Sequence, residues 1–133
     1  MRIAVMGAGA VGGYFGALLA KAGHDVAFIA RGDHGAAMRN NGIKLEGPRG
    51  DLVVRNIEVV DDPAKLAPCD VVLFCVKAYD TESASLATRP LIARGGVVIS
   101  LQNGVDGRDR IGRVVGDECV MGGLAMVSGV IAL

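Results

Sequence analysis

The residues of this chain whose types and spacing could do chemistry are a glycine run, Gly7-Ala8-Gly9-Ala10-Val11-Gly12, and three isolated polar side chains, Arg31, Lys77 and Asn103. The glycine run fits G-x-G-x-x-G, which binds a dinucleotide when it joins a strand to a helix. Gly7 would permit the tight turn, Gly9 would let backbone approach a pyrophosphate, and Gly12 would let the helix lie close on the sheet. The pyrophosphate would sit on free N–H groups at a helix N-terminus. Arg31 stands about 20 residues past the motif, where an NAD-binding domain usually carries Asp or Glu for the ribose 2′-hydroxyl. A carboxylate repels a 2′-phosphate, whereas a guanidinium pairs with it through two charge-assisted hydrogen bonds. The basic residue therefore predicts NADP(H); the competing reading is a solvated loop arginine. Asp25 comes too early, at the start of the strand, to replace the missing acid.

In a chain with 20 glycines the motif needs its context. Ile3, Ala4 and Val5 form a short apolar run before it. Val11, Phe15, Leu18, Leu19 and Ala22 then recur at i, i+4, i+7, i+8 and i+11, predicting one buried helical face, and Gly23 predicts the stop. Val26 to Ala30 resumes an apolar strand, so the glycines lie inside a βαβ unit. Asp33 and His34 follow in a polar segment and are expected to be surface or helix-cap residues. A short helix is predicted from Ala36 to Asn41, ended by Asn41-Gly42. Ile43-Lys44-Leu45-Glu46 alternates, Gly47-Pro48-Arg49-Gly50 is turn chemistry, and Leu52 to Val60 is β-rich, which together predict a hairpin insertion. Asp62 and Pro63 read as N-cap and first residue of another short helix.

Asp70 to Val76 is a continuous apolar run of the kind found in fully buried parallel strands. Lys77 ends it, and in an open α/β sheet ligands sit beyond the carboxyl ends of strands. Asp80 is expected to cap a helix with Ala84, Ala87 and Leu91 on its inner face, broken near Pro90. Val97 to Leu101 is a second buried strand whose end carries Gln102-Asn103-Gly104. Asn-Gly alone is a turn signal, but at this place it also brings an amide, donor and acceptor, to the crevice. Asp106 is expected to cap a helix with Ile111, Val114 and Val115 inward, closed by Gly116. Cys119 to Val127 is a further apolar run in which Gly122 and Gly123 would allow another backbone to approach. The alternation predicts a Rossmann-type α/β fold: a doubly wound, mostly parallel sheet with helices on both faces, forming one domain over residues 1–133.

Composition narrows the function further. With 133 residues and 51% hydrophobic content the chain can bury one core. A net charge of zero argues against a nucleic-acid or anionic-membrane surface. Tyr14, Phe15, Phe28, Phe74 and Tyr79 form no stacking platform. Cys69, Cys75 and Cys119 are odd in number and lack CxxC spacing, which fits buried structural thiols in a reducing, cytoplasmic setting and no metal. The uncharged stretch from Ile3 to Ala20 is glycine-rich where a nucleotide turn needs it, so it is not read as a signal or membrane span.

Four stretches resemble the N-terminal domain of the 2-dehydropantoate 2-reductase (ketopantoate reductase) family: RIAVMGAGAVGGYFGALLAKAGHDVAFIAR, CVKAYDTE around Lys77, SLQNGVDG around Asn103, and GGLAMVSG near the end. The resemblance implies NADPH-dependent reduction of 2-dehydropantoate to (R)-pantoate, a step toward pantothenate and coenzyme A. It implies that Gly7, Ala8, Gly9, Ala10, Val11 and Gly12 bind the pyrophosphate and Arg31 the 2′-phosphate. Lys77 and Asn103 would line the cofactor and substrate cleft, and Ser128 would contact the nicotinamide region through its backbone. The partner would be a small 2-keto acid, with no nucleic acid or membrane involved and a homodimer left open. Family members are about twice as long, and a helical C-terminal domain supplies the lysine that acts as general acid and a glutamate that holds the substrate hydroxyl. Leu133 falls before the last strands expected of the nucleotide domain. The chain alone is thus expected to bind NADPH with little or no turnover.

Lys77 itself is weighed as general acid and, in preference, as a charge anchor for phosphate, carboxylate or ribose groups. Two other functions remain open. One is a related dehydrogenase of the 2- or 3-hydroxyacid or glycerol-3-phosphate type. The other is a non-catalytic nucleotide-sensing domain like those attached to ion channels, which usually keeps an acid after the second strand.

Overall fold

Alternate residues of the first strand point into two different cores. Ala4 and Met6 belong to one apolar cluster with Ala27, Ile29, Val72, Phe74, Val98, Ile111 and Val120. Ile3 and Val5 belong to another with Val26, Phe28, Ala30, Met38 and Leu73. A strand that must be apolar on both faces is the mark of a parallel sheet covered on both sides, and that is the architecture. A computed structural model of the chain describes residues 1–77, 80–102 and 106–126.

Strands β1 (Arg2–Met6), β2 (Asp25–Ile29), β5 (Glu58–Val60), β6 (Cys69–Phe74), β7 (Ile92–Ser100) and β8 (Val120–Gly122) form one six-stranded sheet in the order β5-β2-β1-β6-β7-β8. Every pairing is parallel. In sequence order this is 3-2-1-4-5-6, the order of the Rossmann fold, with its reversal between β1 and β6. Helices α1 (Ala10–Lys21) and α2 (Gly32–Asn41) cover the face that contains Phe28. Helices α3 (Thr81–Thr88) and α4 (Gly107–Val115) cover the face that contains Phe74. At the amino ends of the strands, Arg2 is bonded to Asp25 at 3.0 Å and to Glu58 at 3.1 Å, and its own N–H donates to Asp70 at 2.9 Å. That edge is tied together by ion pairs.

Two helical faces differ from their sequence expectation. In α1 the buried residues are Gly12, Gly13, Gly16 and Ala17, while Leu18 is 39% exposed and Ala22 is exposed as well. The helix lies so close to β1 and β2 that a Cβ at Gly16 would strike the Phe28 ring and come within 3.0 Å of Val5. The small residues therefore take the inner face and the large ones are displaced sideways. Phe15 and Leu19 reach the core at its margin, beside Ile43 and Ile57. In α3 the buried positions are Thr81, Ser85 and Thr88, with Ala84 and Ala87 only half-buried. The hydroxyls are tolerated because each has a local acceptor or donor: Ser85 donates to the Thr81 carbonyl at 2.6 Å, Thr88 donates to that of Ala84 at 2.8 Å, and Thr81 accepts from Gln102 at 2.9 Å. Leu91 is buried, as expected, in a 3-10 turn over Arg89–Leu91 that contains Pro90.

Other boundaries also shift. Helix α2 begins at Gly32, directly after Arg31, and not at Ala36. The β-rich stretch from Leu52 divides in two. Strand β4 (Leu52–Val54) pairs antiparallel with β3 (Ile43–Leu45) as the expected hairpin. Strand β5 leaves it to become the sheet edge beside β2, and Asn56, at φ +58°, lies between them. Asp62 caps as expected, accepting from the Ala64 N–H at 2.9 Å. Asp80 and Asp106 occupy N-cap positions, but their side chains make no capping bond. Of the two late glycines only Gly123 is closely approached, its N–H donating to Ser100 at 2.9 Å; a Cβ at Gly122 would meet nothing nearer than 3.8 Å.

Candidate functional site

The strands end as a staircase. Beyond β2, β6 and β7 the ladder continues by single bonds, Ala30 N–H to Val60 at 2.9 Å, Cys75 N–H to Met6 at 2.8 Å and Leu101 N–H to Phe74 at 3.0 Å. Past these bonds the chains diverge and leave a cleft at the β1/β6 reversal. A cavity of about 310 Å³ occupies it, lined by Gly7, Ile29, Arg31, Pro63, Val76 and Ala87, among others. A shallower hollow continues outward past Arg31, Gly32, Asp61 and Asp62.

Gly7 leaves β1 at φ +93°, and a Cβ there would lie 2.9 Å from the Val76 backbone nitrogen, so two independent constraints demand glycine. A Cβ at Gly12 would strike the Gly7 carbonyl oxygen, so the turn and the helix start are packed backbone on backbone. Gly9 is the N-cap of α1, with no side chain bonding the helix start, and Ala10 and Val11 form its first turn. Ala8 is almost fully buried. The open N–H groups of this helix end are the feature a pyrophosphate requires, so the glycine turn fits the cofactor half expected of it.

Arg31 is exposed at the mouth of the cleft as N-cap of α2, in extended backbone conformation. Among the described residues its guanidinium has no ion pair. Asp61 and Asp62 share that mouth, yet both are engaged elsewhere. Asp61 is paired with Lys65 at 2.7 Å, which holds its carboxyl below the usual range, and Asp62 is spent on its cap. Arg31 is the one cation among the described residues that line the two hollows, and Asp80 also lines the inner one.

Lys77 is exposed, immediately after Val76, which lines the cavity. Its carbonyl accepts from the Asp80 N–H at 2.9 Å, which turns the chain into α3. Gln102 ties this segment to the end of β7: its Nε2 donates to the Val76 carbonyl at 2.8 Å and to Thr81 Oγ1 at 2.9 Å. The backbone leading to Lys77 and the residue preceding Asn103 are thereby joined. Asn103 and Ser128 lie outside the described residues. Gln102 Oε1 is buried with no hydrogen-bond partner among the described residues, so the contribution seen there is that of the donor.

Sequence reasoning passed over several residues that build this site. His34, expected on the surface or at a cap, is half-buried in the first turn of α2, its Nε2 2.6 Å from the Ala8 carbonyl oxygen. Pro63 and Ala87 form a wall of the cavity. The signal for Pro63 was its place just past the third strand of a 3-2-1-4-5-6 sheet; for His34 it was three-residue spacing from Arg31. The cysteines are free, as expected. Burial pushes the Cys75 thiol up to about 12, and Cys69 and Cys119 are raised too, so none is a ready nucleophile. Among the described residues no cluster could hold a metal, and no helix is long and apolar enough to cross a membrane.

Residues 3–131 match the family described as ketopantoate reductase PanE/ApbA. The chain is 36% identical over 135 residues to a 2-dehydropantoate 2-reductase of Pyrococcus abyssi, covering 98% of this chain and 44% of that protein. Among solved structures, a PanE/ApbA family ketopantoate reductase from Ralstonia eutropha JMP134 superposes with a TM-score of 0.82 at 42% identity, covering 93% of this chain and 40% of that one. A D-mandelate dehydrogenase in a ternary structure with NADH and anilino(oxo)acetate also superposes, with a TM-score of 0.82 at 25% identity, covering 93% and 40%. The chain thus spans less than half the length of these relatives and corresponds to their N-terminal part. With a matching sheet order, glycine turn and cleft already in place, the match over residues 3–131 makes this chain a member of the ketopantoate reductase PanE/ApbA family.

Proposed function

We propose that the chain is the cofactor-binding half of an NADPH-dependent reductase that converts 2-dehydropantoate to (R)-pantoate in pantothenate and coenzyme A synthesis. The observation that carries this reading is Arg31, without an ion pair among the described residues, at the mouth of a cleft that runs back to the glycine turn. The N–H groups at the start of α1 receive the pyrophosphate, and Arg31 receives the 2′-phosphate through charge-assisted hydrogen bonds. The bound dinucleotide supplies a hydride to the keto carbon. The resulting alkoxide requires a proton or a donor beside it. Lys77, three residues past β6, and Asn103 serve in this reading as anchors for the 2-keto acid and the nicotinamide ribose, with Ser128 as a backbone contact. In this reading the general acid belongs to the remainder of a longer protein.

Titration of the chain with NADPH and NADH tests the cofactor assignment. NADPH is expected to bind at least about tenfold more tightly, and Arg31→Glu should abolish that preference by placing a like charge against the phosphate, while NADH binding changes little. Equal affinities in the unaltered chain would contradict the role of Arg31. Turnover of 2-dehydropantoate by the 133-residue chain would contradict the missing general acid. A second reading, an NADH-dependent reductase of another 2-keto acid, is favoured by the likeness to D-mandelate dehydrogenase. It predicts the reverse cofactor preference.

A further inference from the structure

His34 links two parts of the cleft that the chain places 26 residues apart. Its Nε2 lies 2.6 Å from the Ala8 carbonyl oxygen. A carbonyl only accepts, so the ring nitrogen carries the hydrogen and donates it. Ala8 stands between Gly7 and Gly9 inside the pyrophosphate-facing turn. In a planar trans peptide the carbonyl of one residue and the N–H of the next point in opposite directions. Drawing the Ala8 oxygen toward α2 therefore aims the Gly9 N–H away from α2; no described backbone group accepts from it.

The other end of the link is equally firm. His34 is three residues beyond Arg31 in the same helical turn. That turn is seated on the end of β2: the Gly35 N–H donates to the Arg31 carbonyl at 3.2 Å, and a Cβ at Gly35 would come within 2.5 Å of the Ala30 oxygen. The imidazole is thus a strut between the turn that bears Arg31 and the glycine turn.

We infer that His34 is a positioning residue that sets the span between the pyrophosphate and 2′-phosphate subsites, and through that span the preference for NADPH. The inference rests on the NADPH reading above. A ligand held at two anchored points gains from each only if the spacing is already correct, so a loosened strut penalises NADPH more than NADH, which lacks the second phosphate.

The test is titration of His34→Leu, His34→Asn and His34→Gln with both cofactors, each variant first checked for folding by circular dichroism. His34→Leu should lose about tenfold in NADPH affinity, the scale of one lost hydrogen bond, and less than about threefold in NADH affinity. His34→Gln, whose amide nitrogen reaches about as far as the imidazole Nε2, should recover NADPH binding to within about threefold. His34→Asn, one carbon shorter, should not. A merely structural histidine would lower both affinities together. Equal losses, no loss, or glutamine and asparagine behaving alike would overturn the assignment; the last comparison stands even if the leucine variant does not fold. If the unaltered chain does not prefer NADPH, the Arg31 reading falls and this inference with it. If it does prefer NADPH and His34→Leu keeps that preference, only the role of His34 falls.

Discussion

The half of the sheet built from β1, α1 and β2 and the half built from β6, α3, β7 and α4 bury similar strands by different means. In the first, helix and sheet meet through missing side chains: Gly12 against the Gly7 carbonyl, Gly16 against the Phe28 ring. In the second, polar side chains are buried alongside apolar ones such as Leu91 and Ile111. Thr81, Ser85 and Thr88 are buried on α3, Gln102 spans to Val76 and Thr81, and Arg110 grips Glu82 across α3 and α4 at 2.8 and 2.6 Å. The cofactor half is therefore defined by shape and tolerates almost no added atom. The half that carries Lys77 is defined by hydrogen-bond partners and should tolerate changes of volume better than loss of a donor.

Three substitutions would break or sharpen that contrast. The largest effect is expected from Gly16→Val, which drives a branched side chain into Phe28 and Val5. Denaturant unfolding should show a loss of about 3 kcal/mol or more, while Gly122→Ala, whose added carbon would make only ordinary contact with Arg108, should stay within about 0.5 kcal/mol. A mild Gly16→Val would mean that α1 can lift from the sheet. Next comes Gln102→Leu, similar in size but without the donor. It removes the donor to the part-buried Val76 carbonyl, a cost of about 1–3 kcal/mol. Gln102→Glu should be no better, because the carboxylate offers an acceptor where the Val76 carbonyl needs a donor. Rescue by Glu in the unfolding measurement would sink the donor argument.

The smallest effect belongs to the exposed pair. Arg110 holds the Glu82 carboxyl down at about 2. Because the folded value is depressed, the stabilisation is complete above the ordinary glutamate range and is lost as pH falls toward 2. In Arg110→Met, an NMR titration should find the Glu82 midpoint raised toward the ordinary glutamate range. The two unfolding curves should differ slightly at neutral pH and converge near pH 2. A gap that widens on acidification would contradict the assignment.

The same contrast explains what could be read from the sequence. Gly7 and Gly12 announce themselves because a positive φ at the first and a backbone contact at the second leave no room for a side chain, and Gly9 because it completes their spacing. Arg31 does so because its charge departs from the acid usual at that position. The strands from Val26, from Asp70 and from Val97 were legible as apolar runs. The inner face of α1 was not, because periodicity counts large apolar residues and this helix buries its glycines. The hydroxyl face of α3 was hidden for a related reason: Thr81, Ser85 and Thr88 count as polar until their local partners are seen. His34 and Gln102 act through bonds to carbonyls 26 residues away, and no local pattern encodes such a contact.

The β3–β4 hairpin stands outside the main sheet, and its tip, Gly47-Pro48-Arg49-Gly50, is exposed, with open space around the Cβ positions of Gly47 and Gly50. Lengthening such a tip costs only about 0.6 kcal/mol for each doubling of the loop. A fluorescent label or short affinity tag placed between Pro48 and Arg49 would therefore ride on the protein without entering either core. It would give cofactor titrations a reporter that neither terminus has to carry.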